Sequence, residues 1–181
     1  MMRYLILGGA RSGKSEFAEN LALELHAERA KNSGGAELFY LATCASPSEF
    51  GGDTDMEARI ILHQQRRDDM WINIEEPLNI TPFLEDLDHN STILVDCLTL
   101  WISNLMYGNL DIEQEFDDLC DLIDDADINI VFVSNELGMG LVPDTKIGRD
   151  FRDFQGKLNQ LMAQRVDKVA LIVAGLPIWV K

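Results

Sequence analysis

Tyr4-Leu5-Ile6-Leu7-Gly8-Gly9-Ala10-Arg11-Ser12-Gly13-Lys14-Ser15 runs a short apolar stretch directly into a Gly-x-x-x-x-Gly-Lys-Ser pattern. The apolar residues read as a strand, and the residues from Gly13 onward open a helix. That is the context in which this pattern acts as a phosphate-binding loop. Glycines at both ends let the backbone curl so that successive N–H groups point inward, and the positive end of the helix adds to them. In such a loop Gly8, Gly9, Ala10, Arg11, Ser12 and Gly13 surround the phosphates. Lys14 reaches the β- and γ-phosphates, and Ser15 offers its hydroxyl to Mg²⁺. The stretch therefore predicts nucleoside triphosphate chemistry.

Working outward, Leu38–Ala42, Thr92–Val95, Ile128–Ser134 and Val169–Ala174 are further short, nearly continuous apolar runs. Runs of that kind are covered on both faces, as in a parallel sheet. Between them Ser15–Lys31, Leu98–Tyr107, Ile112–Asp125 and Ile147–Arg165 carry apolar residues at helical spacing. The alternation predicts a phosphate-loop α/β fold: one domain over residues 1–181, three-layered and doubly wound, with a mostly parallel sheet and ligands beyond the carboxyl ends of its strands. Leu176–Lys181 reads as an edge strand after a turn at Gly175, and Cys44–Thr54, rich in Ser, Pro and Gly, as a loop on the phosphate-loop side.

The 181 residues are 46% hydrophobic and 25% charged, ordinary for one globular domain. Asp and Glu outnumber Lys and Arg by 31 to 15, for a formal net charge of -16. The long-range field therefore repels nucleic acid and anionic membranes. No apolar run approaches the roughly 20 residues of a membrane helix. The three cysteines show no metal-ligand or redox spacing. Reduced thiols, and with no leader segment a cytoplasmic location, are the expectation. The acidic stretch Asn109–Asp127 reads as a solvated helix face.

Two further groupings bear on chemistry. Asp96 ends the strand that starts at Thr92, as a metal-holding carboxylate of a phosphate-loop protein would. Met56–Arg67 has helical spacing and aligns Arg59, His63 and Arg67 on one stripe, with Arg66 a turn from His63. Flanking guanidiniums would bind polyphosphate and favour a neutral imidazole able to attack phosphorus. On spacing alone a surface helix with an idle histidine explains the same pattern. His26 and His89 read as solvated. The glycine-punctuated run Ser134–Pro143 follows a central strand, and Arg149, Arg152 and Asp153 open a helix that includes Gly156 and Asn159.

Together these residues resemble the bifunctional adenosylcobinamide kinases and adenosylcobinamide-phosphate guanylyltransferases of cobalamin biosynthesis. The resemblance is carried in order along the chain. It comprises the phosphate loop; Ala58-Arg59-Ile60 with His63, Arg67 and Trp71; Asp96-Cys97-Leu98-Thr99 with Asn104-Leu105; and Asn135-Glu136-Leu137-Gly138-Met139-Gly140 with Val142-Pro143, Arg149–Asp153 and Asn159-Gln160. It implies phosphorylation of the aminopropanol hydroxyl of adenosylcobinamide by ATP or GTP. GMP is then transferred from GTP to that phosphate through a guanylylated histidine, matched here by His63. It also implies nucleotide contacts from Ala42, Thr43, Cys44, Gln64, Gln65, Arg66, Arg67 and either Glu75 or Glu76. Ser15 and Asp96 would lie at Mg²⁺, with Asp96 standing where some relatives have glutamate. A homotrimer is implied, with Met70 and Trp71 as exposed interface residues. The competing readings are another phosphate-loop small-molecule kinase without a covalent intermediate, and a nucleotide-dependent switch, for which no guanine-reading Asn-Lys-x-Asp motif is present.

Overall fold

The computed structural model describes residues 1–32, 35–44 and 69–181. The helix expected over Met56–Arg67, with Arg59, His63, Gln64, Gln65, Arg66 and Arg67, lies outside the described residues, as does the loop beyond Cys44. Within the described residues the strands are β1 (Arg3–Gly8), β2 (Leu38–Ala42), β3 (Trp71–Glu75), β4 (Thr92–Asp96), β5 (Asn129–Asn135), β6 (Lys168–Val173) and β7 (Leu176–Trp179). They form one seven-stranded sheet in the order β3-β2-β4-β5-β1-β6-β7. All neighbouring pairs are parallel except the β6–β7 hairpin. The helices are α1 (Lys14–Asn32), α2 (Ile80–Glu85), α3 (Leu98–Gly108), α4 (Ile112–Asp125) and α5 (Lys146–Arg165).

The continuous apolar runs become strands because both faces of the sheet are covered. Successive side chains point to opposite sides. Leu5, Phe39, Leu41, Ile93, Val95, Ile130 and Phe132 join a core with α2 to α5. Their neighbours Ile6, Leu38, Tyr40, Leu94, Val131 and Val133 join a second core with Ala18, Ala22 and Leu25 of α1. The helix–sheet–helix layering expected from the alternation is thus present. α3 is apolar nearly all round and buries Leu98, Trp101, Ile102 and Leu105 beneath the strand ends. It stops at Asn109 in the left-handed region (φ 52°). α4 starts at an Asp111 side chain that accepts from the Gln114 N–H and buries Phe116, Leu119, Cys120 and Ile123. Its acidic residues face outward, as the charge run suggested.

Sequence patterning missed β3 and α2. β3 is an outermost strand whose middle residues Ile72 and Asn73 are exposed, so neither a continuous nor a clean alternating pattern marks it. It also corrects the view of Trp71 as an exposed interface residue. Trp71 pairs with Leu38, packs edge-on against Tyr40 at 6.1 Å between ring centroids, and is only 7% exposed. Met70, beside it, is exposed.

Candidate functional site

The carboxyl ends of the six parallel strands share one edge of the sheet, carrying Gly8, Ala42, Glu75, Asp96, Asn135 and Val173. The chain leaves β1 through α1, which crosses β5 and β4 on its way to β2; it leaves β5 in the opposite direction, through α5 to β6. Neighbouring strands whose connections part in this way open a crevice at their ends, the usual ligand position in open α/β sheets. Here the crevice lies between the loop after Gly8 and the loop after Asn135.

The loop after β1 is built from backbone. The Ser12 N–H donates to the Gly9 carbonyl at 3.3 Å, and the Phe17 N–H to Gly13 at 3.0 Å, which starts α1. Gly13 sits at φ +93°, where an L side chain is strained, and Arg11 also lies in the left-handed region. At Gly8 a Cβ would fall 2.4 Å from Ser12 Oγ and 2.9 Å from the Ile172 carbonyl oxygen, so only glycine lets the loop fold back on its strand. Lys14 Nζ donates to the Gly9 carbonyl at 3.2 Å, which holds the ammonium over the loop. The Glu136 N–H donates to the Gly8 carbonyl at 3.1 Å and ties the two crevice loops together.

The opposite wall is built from side chains. Asp96 aligns with Val133 of β5, which in turn aligns with Ile6 of β1. One strand therefore separates the carboxylate from the phosphate-loop strand, a spacing of roughly 10 Å across two strand intervals. β5 stands between the strand that ends at Asp96 and the strand that leads into the loop. Tyr40 donates its hydroxyl to Asp96 Oδ2 at 3.0 Å and fixes the carboxylate's direction. Thr43 is fully buried. Its hydroxyl donates to the Cys97 carbonyl at 2.7 Å and accepts from the Cys97 N–H at 2.9 Å. Asn104 of α3 donates to the Thr43 and Pro77 carbonyls at 2.7 and 2.9 Å. Burial, with Asp96 adding to it, pushes the Cys97 thiol up to about 12, so it stays a neutral packing group. Burial and then Glu75 also raise the half-buried Cys44 thiol. All three cysteines are thiols rather than disulfide partners.

Several motif residues prove to be struts. The Thr99 hydroxyl accepts from the Asn135 N–H at 2.8 Å, and Asn159 accepts from the Ser134 hydroxyl and donates to the Asn135 carbonyl at 2.7 and 3.0 Å. Glu136 turns its carboxylate back onto the Gly138 and Met139 N–H groups at 2.9 and 3.2 Å. Arg149 donates to the Pro143 and Asp144 carbonyls at 3.0 and 2.9 Å and pins the far end of that loop. Between Glu75 and Glu76 the two roles separate. Glu76 Oε1 accepts from the Leu78 and Asn79 N–H groups ahead of α2, whereas Glu75 is exposed at the end of β3 beside Cys44. Sequence reasoning missed Tyr40 and Gln155; the latter donates to Ser134 at 2.6 Å. Only contacts distant in the chain reveal them.

The loop offers backbone donors, an ammonium and a helix N-terminus to phosphates. Ser15 and Asp96 add the hydroxyl and carboxylate oxygens that suit a hard cation such as Mg²⁺, which keeps most of its waters. Tyr40 holds the Asp96 carboxylate in place at the strand end, and the all-oxygen donor set fits that use. The fold and this crevice define a phosphate-loop α/β protein of the nucleotide-handling class. A family model described as cobinamide kinase / cobinamide phosphate guanyltransferase matches residues 4–180. The chain is 40% identical to the bifunctional adenosylcobalamin biosynthesis protein CobP of Pseudomonas aeruginosa, over 99% of this chain and 98% of that protein. It is 31% identical to the bifunctional adenosylcobalamin biosynthesis protein CobU of Escherichia coli, over 99% and 100%. This chain belongs to the cobinamide kinase / cobinamide phosphate guanyltransferase family. Among the described residues no helix is long and apolar enough to cross a membrane.

Proposed function

We propose that this chain, acting as one domain, phosphorylates the aminopropanol hydroxyl of adenosylcobinamide with ATP or GTP. It then transfers GMP from GTP to adenosylcobinamide phosphate through a guanylylated His63, giving adenosyl-GDP-cobinamide and pyrophosphate. The observation that carries this reading is the pairing of a preformed phosphate loop with a side-chain-locked Asp96 across one strand, in a chain matched end to end by the family.

In the kinase step the γ-phosphoryl passes from nucleotide to the substrate hydroxyl. Loop N–H groups and the Lys14 ammonium stabilise the charge that builds on the oxygens around the breaking bond. In the guanylyltransferase step a neutral imidazole nitrogen of His63 forms a bond to the α-phosphorus as the bond to pyrophosphate breaks. The substrate phosphate then displaces histidine and receives GMP. The same loop stabilises the departing pyrophosphate. Arg66 and Arg67, with Gln64 and Gln65, supply donors to the polyphosphate, and Ala42, Thr43, Cys44 and Glu75 line the nucleotide's side of the crevice. Ser15 and Asp96 would hold Mg²⁺, which supplies charge neutralisation between phosphate oxygens. We place the reaction in the cytoplasm and expect a homotrimer, Met70 being an exposed apolar residue seven positions after His63 in the sequence.

The test is incubation with Mg²⁺ and GTP labelled at the α-phosphate, without cobinamide, followed by intact mass of wild type and His63→Ala. An acid-labile GMP adduct absent from the variant supports the covalent route. A folded, GTP-binding protein that takes no label would replace it with a simple kinase.

A further inference from the structure

The phosphate loop is held from outside by the last hairpin of the chain. β6 and β7 are joined by the two-residue turn Ala174-Gly175, with φ of 52° and 80°. The Gly175 N–H donates to the Ser12 carbonyl at 2.8 Å. A Cβ on Gly13 would meet Gly175 Cα at 3.1 Å, so the two glycines permit the close approach. Further along β7, Trp179 packs edge-on against Phe17, in the first turn of α1, with ring centroids 6.2 Å apart. The hairpin therefore touches the chain before, at and just after the loop-to-helix junction.

In a planar trans peptide the C=O and the following N–H point in opposite directions. Fixing the Ser12 carbonyl toward Gly175 aims the Gly13 N–H the other way, away from the hairpin. We propose that Gly175 is a positioning residue: its N–H orients the Ser12–Gly13 peptide so that the Gly13 N–H is presented to the nucleotide's phosphates. This inference rests on the nucleotide-binding part of the reading above. The hairpin thereby sets nucleotide affinity from outside the crevice, although none of its residues need touch the ligand.

Gly175→Ala is the variant to make, because a Cβ there meets nothing within 4 Å and the φ of 80° alone drives the turn to shift. Gly35→Ala is the matched control, with the same φ of 80°, the same open space and a position in the α1–β2 connection. Calorimetric titration with GDP and Mg²⁺ is expected to give a Kd raised about tenfold for Gly175→Ala and unchanged for Gly35→Ala, with similar small losses of melting temperature. In turnover, the KM for GTP should rise with kcat nearly retained. A wild type that fails to bind GDP would refute the nucleotide reading itself. A wild type that binds, with Gly175→Ala binding equally well or Gly35→Ala weakened as much, would refute the role of the hairpin. Hydrogen exchange on the unmodified protein tests the same point if Gly175→Ala does not fold. Adding GDP and Mg²⁺ should slow exchange of the Gly175 amide several-fold, and an unchanged rate overturns the proposal.

Discussion

The two walls of the crevice are held in contrasting ways. On the β1 side Gly8, Gly13 and Lys14 shape the phosphate loop through bonds to backbone carbonyls within a few residues, braced by the β6–β7 hairpin. On the β4 side Asp96, Tyr40, Thr43, Cys97 and Asn104 are drawn from three elements and locked by side chains more than fifty positions apart in the chain. The first wall is local and tolerates change around it, provided the glycines stay. The second is a buried polar network, in which losing one partner strands another. Substitutions on the β1 side should therefore injure binding and turnover more than stability; on the β4 side, those that break the network should cost stability, while a same-shape change that keeps its bonds should cost turnover alone.

Asp96→Asn should show the largest effect, since it removes a charge from the proposed metal position while leaving an oxygen to accept from Tyr40. The expected outcome is a rate of nucleotide-dependent phosphorylation lowered by about 100-fold or more, with the unfolding midpoint nearly unchanged. Steady-state assays beside urea melts would read both. An active variant would remove Asp96 from the mechanism.

Thr43→Val sharpens the contrast from the other side. It leaves the Cys97 N–H and carbonyl without the hydroxyl that serves both, so stability should fall by about 2–3 kcal/mol in urea titration. A loss under about 0.5 kcal/mol would mean that the network relaxes around the gap. Tyr40→Phe removes the hydroxyl that donates to Asp96. It should cost about 1 kcal/mol and raise the Mg²⁺ concentration needed for half-maximal rate; an unchanged Mg²⁺ titration would show that Tyr40 does not aim the carboxylate.

The smallest effect concerns thiols. Burial followed by Glu75 raises the Cys44 thiol, and burial followed by Asp96 raises Cys97 to about 12. A raised thiol pKa means less thiolate at a given pH. Alkylation of the native protein should therefore reach Cys44 first, keep accelerating above the ordinary thiol range, and quicken modestly in Glu75→Gln. Cys97 should stay unlabelled until the protein unfolds. Peptide mass mapping across pH, on wild type and Glu75→Gln, checks all four statements.

Much of the β1 wall was legible in sequence because its geometry is written in adjacent residues. The glycine positions, the apolar strand before them and the helix after them appear where the pattern put them, and Ile112–Asp125 is a helix with those same ends. From the residues themselves the β4 wall was legible only as Asp96 at a strand end, and Thr43, Cys97 and Asn104 entered through the resemblance. The tie between Thr43 and Cys97, and the use of Tyr40, depend on β2 and β4 being neighbours, which nothing in either segment states. β3 escaped notice for a related reason: an outer strand buries only part of itself, and Trp71 reads as exposed until the second core is seen to cover it. Asn159, Thr99 and Arg149 were visible as motif residues, yet their work as struts is set by contacts to the β5 end and its loop.

The central claim is that one phosphate loop serves both the phosphoryl and the guanylyl transfer. Lys14→Ala tests it most directly, assayed in parallel for phosphorylation of adenosylcobinamide and for labelling of the protein by GTP carrying a labelled α-phosphate. The account predicts that both fall together, by about 100-fold or more, in a protein that melts like wild type. Loss of phosphorylation with guanylylation intact would contradict it and require a second nucleotide site.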